Sequence, residues 1–131
     1  MNDKCCADFQ AAVDEYLIRH RSVLDVLTKY QEATARVNRA FAKAVTECGC
    51  VEVKAGRQQA PEAAAFRELK QFVSSHVSGQ PCEHCKEVLA KELGHSLFYM
   101  AALCNVAGLK IHEVMREECK NVKTLGVFHL S

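Results

Sequence analysis

Between Cys82 and Val106 the chain reads CEHCKEVLAKELGHSLFYMAALCNV, a stretch with one glycine and no proline. Leu89, Leu93, Leu97, Ala101 and Cys104 recur along it at steps of three and four, the repeat of one face of an α-helix. The stretch therefore predicts a long helix opening at Cys82 or Glu83, with this leucine stripe facing the bundle core or a subunit interface. Ser78-Gly79-Gln80-Pro81 breaks the chain ahead of it, and Ala107-Gly108-Leu109 makes a turn behind it. Ile111, Val114, Met115 and Cys119 continue at helical spacing and predict a last helix over 110–122, followed by an apolar tail, 123–131, that is expected to dock.

The remainder points the same way. Seventeen alanines, six glycines and only Pro61 and Pro81 favour helix over sheet. The region 8–48 holds neither proline nor glycine, and Val13, Leu17, Leu24, Leu27, Val37, Ala40, Phe41, Ala44 and Val45 supply apolar positions for two helices or one long one, with Thr28-Lys29-Tyr30-Gln31-Glu32 as the place for a connection. Cys48-Gly49-Cys50 ends the region, Gly49 suiting a left-handed cap. Residues 49–61 read as a linker; Val51-Glu52-Val53-Lys54 alternates but is too short to imply a sheet. Pro61 suits a first turn, and Phe66, Leu69, Phe72 and Val73 predict a helix over 62–77. The expectation is a single all-α domain over 1–131, a bundle of four or five helices.

The 131 residues are 49% hydrophobic and 25% charged, the balance of a globular chain that needs no disulfides to fold. Seventeen Lys and Arg against sixteen Asp and Glu, without a basic cluster, argue against a nucleic-acid partner. Neither a leader-like apolar segment behind Met1 nor a run long enough to span a bilayer is evident, so no membrane association and a cytoplasmic location are expected. In a reducing compartment eight cysteines suggest metal ligation or redox chemistry rather than a disulfide framework.

Four of them form two close pairs, Cys48-Gly49-Cys50 and Cys82-Glu83-His84-Cys85. Two chelating pairs on different elements are what a tetrahedral zinc site requires, although an Fe–S centre, a redox or disulfide pair, or unligated thiols share the pattern. A helix N-terminus favours the thiolate at Cys82 and Cys85. Four sulfur ligands would close the coordination sphere, making such a site structural. His84, between two ligands, is expected to point outward, and Cys5, Cys6, Cys104 and Cys119 to be unligated.

Lys91-Glu92-Leu93-Gly94-His95-Ser96-Leu97-Phe98-Tyr99, with the later Ala107-Gly108-Leu109-Lys110-Ile111-His112-Glu113-Val114, resembles the hallmark helix and following turn of the MazG-like all-α nucleoside triphosphate pyrophosphohydrolases. The resemblance covers roughly the last third of the chain. It implies a MazG-like scaffold, a nucleotide ligand, a homodimer or higher homo-oligomer with helices paired between chains, and Mg²⁺ held by acidic pairs on adjacent helices. Glu92 takes the place of the first acid of one pair, with Glu87 a further candidate. His95 stands where an Asp is expected, and imidazole is a poor Mg²⁺ ligand. For the other pair Glu32 has Ala35 and Arg36 three and four residues on, and Arg36 and Arg39 bring positive charge. The implied reading is a divergent, metal-stabilised binding or regulatory protein with little or no pyrophosphohydrolase activity. Its alternatives are an active Mg²⁺-dependent hydrolase and a cysteine-based redox or metal sensor.

Overall fold

The computed structural model describes residues 2–129. Four helices dominate: α1 (Asp3–Tyr16), α2 (Val23–Lys43), α3 (Glu83–Ala107) and α4 (Ile111–Leu125). None of the helices among these residues is long and apolar enough to cross a membrane. The all-α expectation holds, and α3 falls where the leucine stripe placed it.

The connection between the first two helices lies at 17–22 rather than at 28–32. Ser22 caps α2 by accepting from the Leu24 amide at 3.3 Å. His20 adopts a left-handed backbone, φ 57°. Arg21 donates to the Asp14 carbonyl at 3.0 Å, to its carboxylate at 2.8 Å and to the Leu17 carbonyl, occupying acceptors that the end of α1 leaves unfilled. Thr28, by contrast, bonds the Leu24 carbonyl one turn back and stays within the helix.

The helices α2 and α3 run antiparallel along a seam. On α2 it is formed by Val26, Tyr30, Ala33, Val37, Ala40 and Ala44, all buried or half-buried. On α3 it is formed by Cys85, Leu89, Glu92, Ser96, Tyr99 and Leu103, likewise withdrawn from solvent. Both sets step by four and three, the coiled-coil repeat. Thus within the single chain only part of the expected stripe meets the core. Ala101 and Cys104 are buried and Leu89 half-buried, but Leu93 and Leu97 remain 46% and 48% exposed, because the seam takes the neighbouring Glu92 and Ser96 instead.

Across the far end of α3, Val13 of α1, Val26, Ala101, Ala102, Cys104 and Ile111 form the principal core. Gln10 crosses it. Its side chain donates to Asn105 Oδ1 at 2.9 Å and the Leu109 carbonyl at 2.7 Å, and accepts from the Ile111 amide at 2.8 Å. Asn105 returns a bond to the Gln10 carbonyl at 3.1 Å, so α1, the α3–α4 turn and the start of α4 share one satisfied network.

Two further expectations are corrected. Of the helix expected over 62–77 only a 3₁₀ segment, Phe66–Gln71, is helical. Side chains there compete for the backbone: Gln58 exchanges bonds with the Ser74 amide and carbonyl, while Ser74 and Ser75 hydroxyls accept from the His76 and Val77 amides. And Glu52–Val53 (β1) does find a partner, Val77–Ser78 (β2), antiparallel with Glu52 opposite Ser78 and Val53 opposite Val77. At the C-terminus α4 runs past 122, and Phe128 stacks on Phe66 with centroids 6.3 Å apart, both rings remaining largely exposed. Leu130 and Ser131 lie outside the described residues.

Candidate metal centre

The last turn of α2 widens into a π-turn, Ala44–Cys48, closed by the Gly49 amide on the Ala44 carbonyl at 2.9 Å. Gly49 then turns the chain with φ 74°, a conformation open to glycine at no steric cost, so Cys48 and Cys50 face back toward the same point. Behind them Ala44 and Val51 are buried and anchor the turn. The β1–β2 ladder, extended by the Lys54 amide on the His76 carbonyl at 2.8 Å, closes the loop between residues 54 and 76 at its base. Through that ladder and Gly79, which turns with φ 83° beside the Cys50 carbonyl, the chain returns to Cys82 at the N-cap of α3.

All four sulfurs of Cys48, Cys50, Cys82 and Cys85 lie within 4.8 Å of one another, and Cys48 Sγ stands 3.9 Å from Cys82 Sγ. A tetrahedral ion with Zn–S bonds of about 2.3 Å separates its sulfurs by about 3.8 Å. The group thus has the size of a one-ion tetrathiolate site. None of the four is bridged, and 3.9 Å is nearly twice a disulfide bond. Among the described residues this is the only set of three or more His, Cys, Asp or Glu side chains so gathered.

The thiols differ in acidity. The backbone amide and then the thiol of Cys85 hold Cys82 down to about 7, the position at the head of a helix that favours an anion. Burial, reinforced by the other three sulfurs, pushes Cys85 up to about 12, and the neighbouring Cys50 thiol raises Cys48. A cation among the four would relieve the crowding of these groups by taking all of them as thiolates. His84 is exposed, as its place between two ligands suggested. It borders a shallow groove of about 470 Å³ with Lys43, Glu47, Cys48, Cys85 and Val88.

The residues singled out by the MazG-like stretch lie elsewhere, midway along the seam. His95 and Tyr99 of α3 face Lys29, Glu32, Ala33 and Arg36 of α2 across a slot of about 220 Å³. His95 Nδ1 is 3.9 Å from Glu92 Oε2, an oxygen that is buried without a hydrogen bond. Glu32 is bound to Arg36 at 3.1 Å and Lys29 at 3.4 Å, and the Arg36 guanidinium foremost keeps its carboxyl below the usual range. Glu87 is exposed on a different face of α3 and does not line the slot. Lys29 is the member that the sequence reading did not single out; its position one turn before Ala33 on the seam repeat is the signal that would have found it.

Comparison with protein-family models, with curated proteins and with solved structures finds no match to this chain.

Proposed function

We propose that the chain is a helical binding or regulatory protein whose α2–α3 hairpin is closed by a tetrathiolate zinc centre, with little or no nucleoside triphosphate hydrolysis at the slot. The observation that carries the reading is the convergence of Cys48, Cys50, Cys82 and Cys85 within 4.8 Å. One ion fits this spacing, whereas a cluster with its own irons and sulfides would hold the thiolates farther apart. Four protein ligands leave zinc no open position, so its role is to fasten the hairpin rather than to activate water. Such thiol chemistry suits a reducing cytoplasm.

The slot supports a MazG-like descent poorly as a hydrolase. Catalysis by Mg²⁺ needs several carboxylate oxygens around the ion. Here Glu32 is already neutralised by Lys29 and Arg36, and a histidine stands beside Glu92. Lys29 and Arg36 are the groups in the slot that would meet the phosphates of a nucleotide, and doing so would compete with their pairing to Glu32.

Metal analysis of protein purified without chelator or metal-affinity tag tests the centre. One zinc per chain, lost in Cys50→Ser, is expected; metal-free protein with cysteine bridges between the pairs would replace this reading by a redox one. A screen of standard and modified nucleotides with Mg²⁺ and Mn²⁺ tests the slot. Stabilisation by a nucleotide without turnover is expected, and pyrophosphate release that disappears in Glu92→Gln would establish an active enzyme instead.

A further inference from the structure

Helix α4 carries two stripes side by side. Met115, Cys119 and Val122 step along it by four and three, and Arg116, Lys120 and Lys123 each follow one residue later with the same steps. The first stripe is apolar, the second cationic. Both are left open: Met115 and Val122, with the neighbouring Val114, remain exposed, as do the three cations.

Beside these stripes stands α1. It runs antiparallel to α4, Gln10 meeting Ile111 and Asp3 meeting Arg116, so α4 continues past its first turn. The angle between the two helices forms a groove of about 610 Å³, a size that suits a small molecule. Cys6, Met115 and Cys119 give it apolar surface, and Arg116, Lys120 and Lys123 line it with positive charge. A second hollow of about 470 Å³ adjoins it, sharing Met115, Cys119 and Lys123 and adding Val114 and Val122.

The charge in the groove is unbalanced. Asp3 is the only carboxylate among the described residues that line it, and Asp3 is paired with Arg116. Among the described residues Lys120 and Lys123 pair with no acid, and Glu118, at the second hollow, is taken by His129. His112 also lines the groove, and its Nδ1 is buried without a hydrogen-bond partner. A buried polar atom left unmatched is costly and calls for a partner from outside the chain.

We propose that the α1–α4 groove binds an amphipathic anion, a medium-chain alkyl carboxylate, with its head among His112, Arg116, Lys120 and Lys123 and its chain laid along Met115, Cys119 and Val122. Charge alone binds weakly at an exposed site. The chain supplies the remainder, up to about fourfold in affinity for each methylene covered. Both halves are needed in one molecule, because the two stripes lie one residue apart along their whole length. From Met115 to Val122 the apolar stripe is about 10 Å long at 1.5 Å per residue, the reach of one alkyl chain, whereas a protein partner covers roughly 800 Å². None of the lining residues belongs to the cysteine centre or the α2–α3 slot, so the site stands or fails apart from both.

Titration calorimetry of the full chain with sodium decanoate, kept below its micelle concentration, tests the proposal. Saturable binding of one decanoate per chain is expected, with decylammonium and decanol weaker by at least about 10-fold, the scale of one charge-assisted bond. No saturable heat, or equal affinity for the three headgroups, would overturn it. Lys120→Glu with Lys123→Glu should reverse the order, so that decylammonium binds better than decanoate while circular dichroism keeps its helical signal; an unreversed order would overturn the placement of the head. On the wild type, amide resonances moved by decanoate should belong to residues 3–6 and 112–124, and shifts centred on the slot or the cysteine end would overturn the assignment. Cosedimentation with vesicles of phosphatidylcholine and phosphatidylglycerol separates a free carboxylate from a membrane. No cosedimentation is expected, and vesicle binding without decanoate binding would replace the proposal by a lipid surface.

Discussion

The two ends of α3 are held by different physics. At the C-terminal end Val13, Val26, Ala101, Ala102, Cys104 and Ile111 exclude water, and Gln10 satisfies the backbone around them. At the N-terminal end only Ala44 and Val51 are buried beside the cysteines, and the strands that meet there are two residues each. The first end is held by burial, while the second has little core and instead gathers four sulfurs within 4.8 Å. The contrast teaches where the proposed metal would matter most: at an end with so little core, metal binding would itself be folding free energy.

The largest expected effect breaks the tied end alone. Structural zinc in small sites is worth on the order of 10 kcal/mol in apparent binding. Stripping the ion with a chelator, or Cys85→Ser, should abolish amide-exchange protection from Ala44 to Val53 and from Val77 to Lys86 while Phe98 to Val106 stays protected. Equal loss of protection at both ends would mean that they are one cooperative unit. Next in size, Gln10→Ala should cost about 2–4 kcal/mol, because it strands the Ile111 amide and the Asn105 side chain in the core. Denaturant melts would show this loss with metal content unchanged. Val26→Ala, at a fully buried position, should cost about 2 kcal/mol at the same end.

The smallest effect is a pH dependence confined to the metal-free cysteine end. Cys82 is lowered from 9.0 to about 7 in the folded chain, so its contribution is complete above pH 9 and is lost as pH falls through 7. Cys85 is raised from 9.0 to about 12, so its contribution is present below pH 9 and is lost as pH rises toward 12. Stability of the metal-free N-terminal end should therefore rise from pH 7 to a maximum near 9 and decline beyond it. Alkylation should find Cys82 reacting first, with a midpoint near 7. A flat profile would show that the four sulfurs do not meet without the ion.

The same contrast explains what was legible in the sequence. Helical spacing located α3 and α4, and the pairing of Cys48 with Cys50 and of Cys82 with Cys85 located the centre, because both signals are local. The break at 17–22 was not visible because it depends on Arg21 reaching back to Asp14 and on the left-handed His20, neither of which has a periodicity. The helix expected over 62–77 had the apolar spacing but no surface to bury it against, and its serines and Gln58 took the backbone bonds. The stripe of α3 is legible in part: Ala101 and Cys104 are buried, while the seam with α2 takes Glu92 and Ser96, which leucines outrank on hydrophobicity, opposite the small residues Ala33, Ala40 and Ala44. For the slot, the motif pointed to Glu92 and His95, but only the packing of α2 brought Lys29 and Arg36 against them.

The π-turn at Ala44–Cys48 sets the phase of the whole arrangement. An α-helix advances about 100° per residue, so the one extra residue that the wide turn accommodates decides which way the Cys48 thiol leaves the helix. Removing Thr46 would let the segment relax into regular helix with the downstream cysteines out of phase with Cys82 and Cys85. Elsewhere, in the loop between residues 54 and 76, the chain can change length without consequence for either pair, since the ladder fixes both ends. Single-residue deletions should therefore be lethal to metal retention within five residues of sequence and silent twenty residues later, a sharper boundary than any substitution would draw.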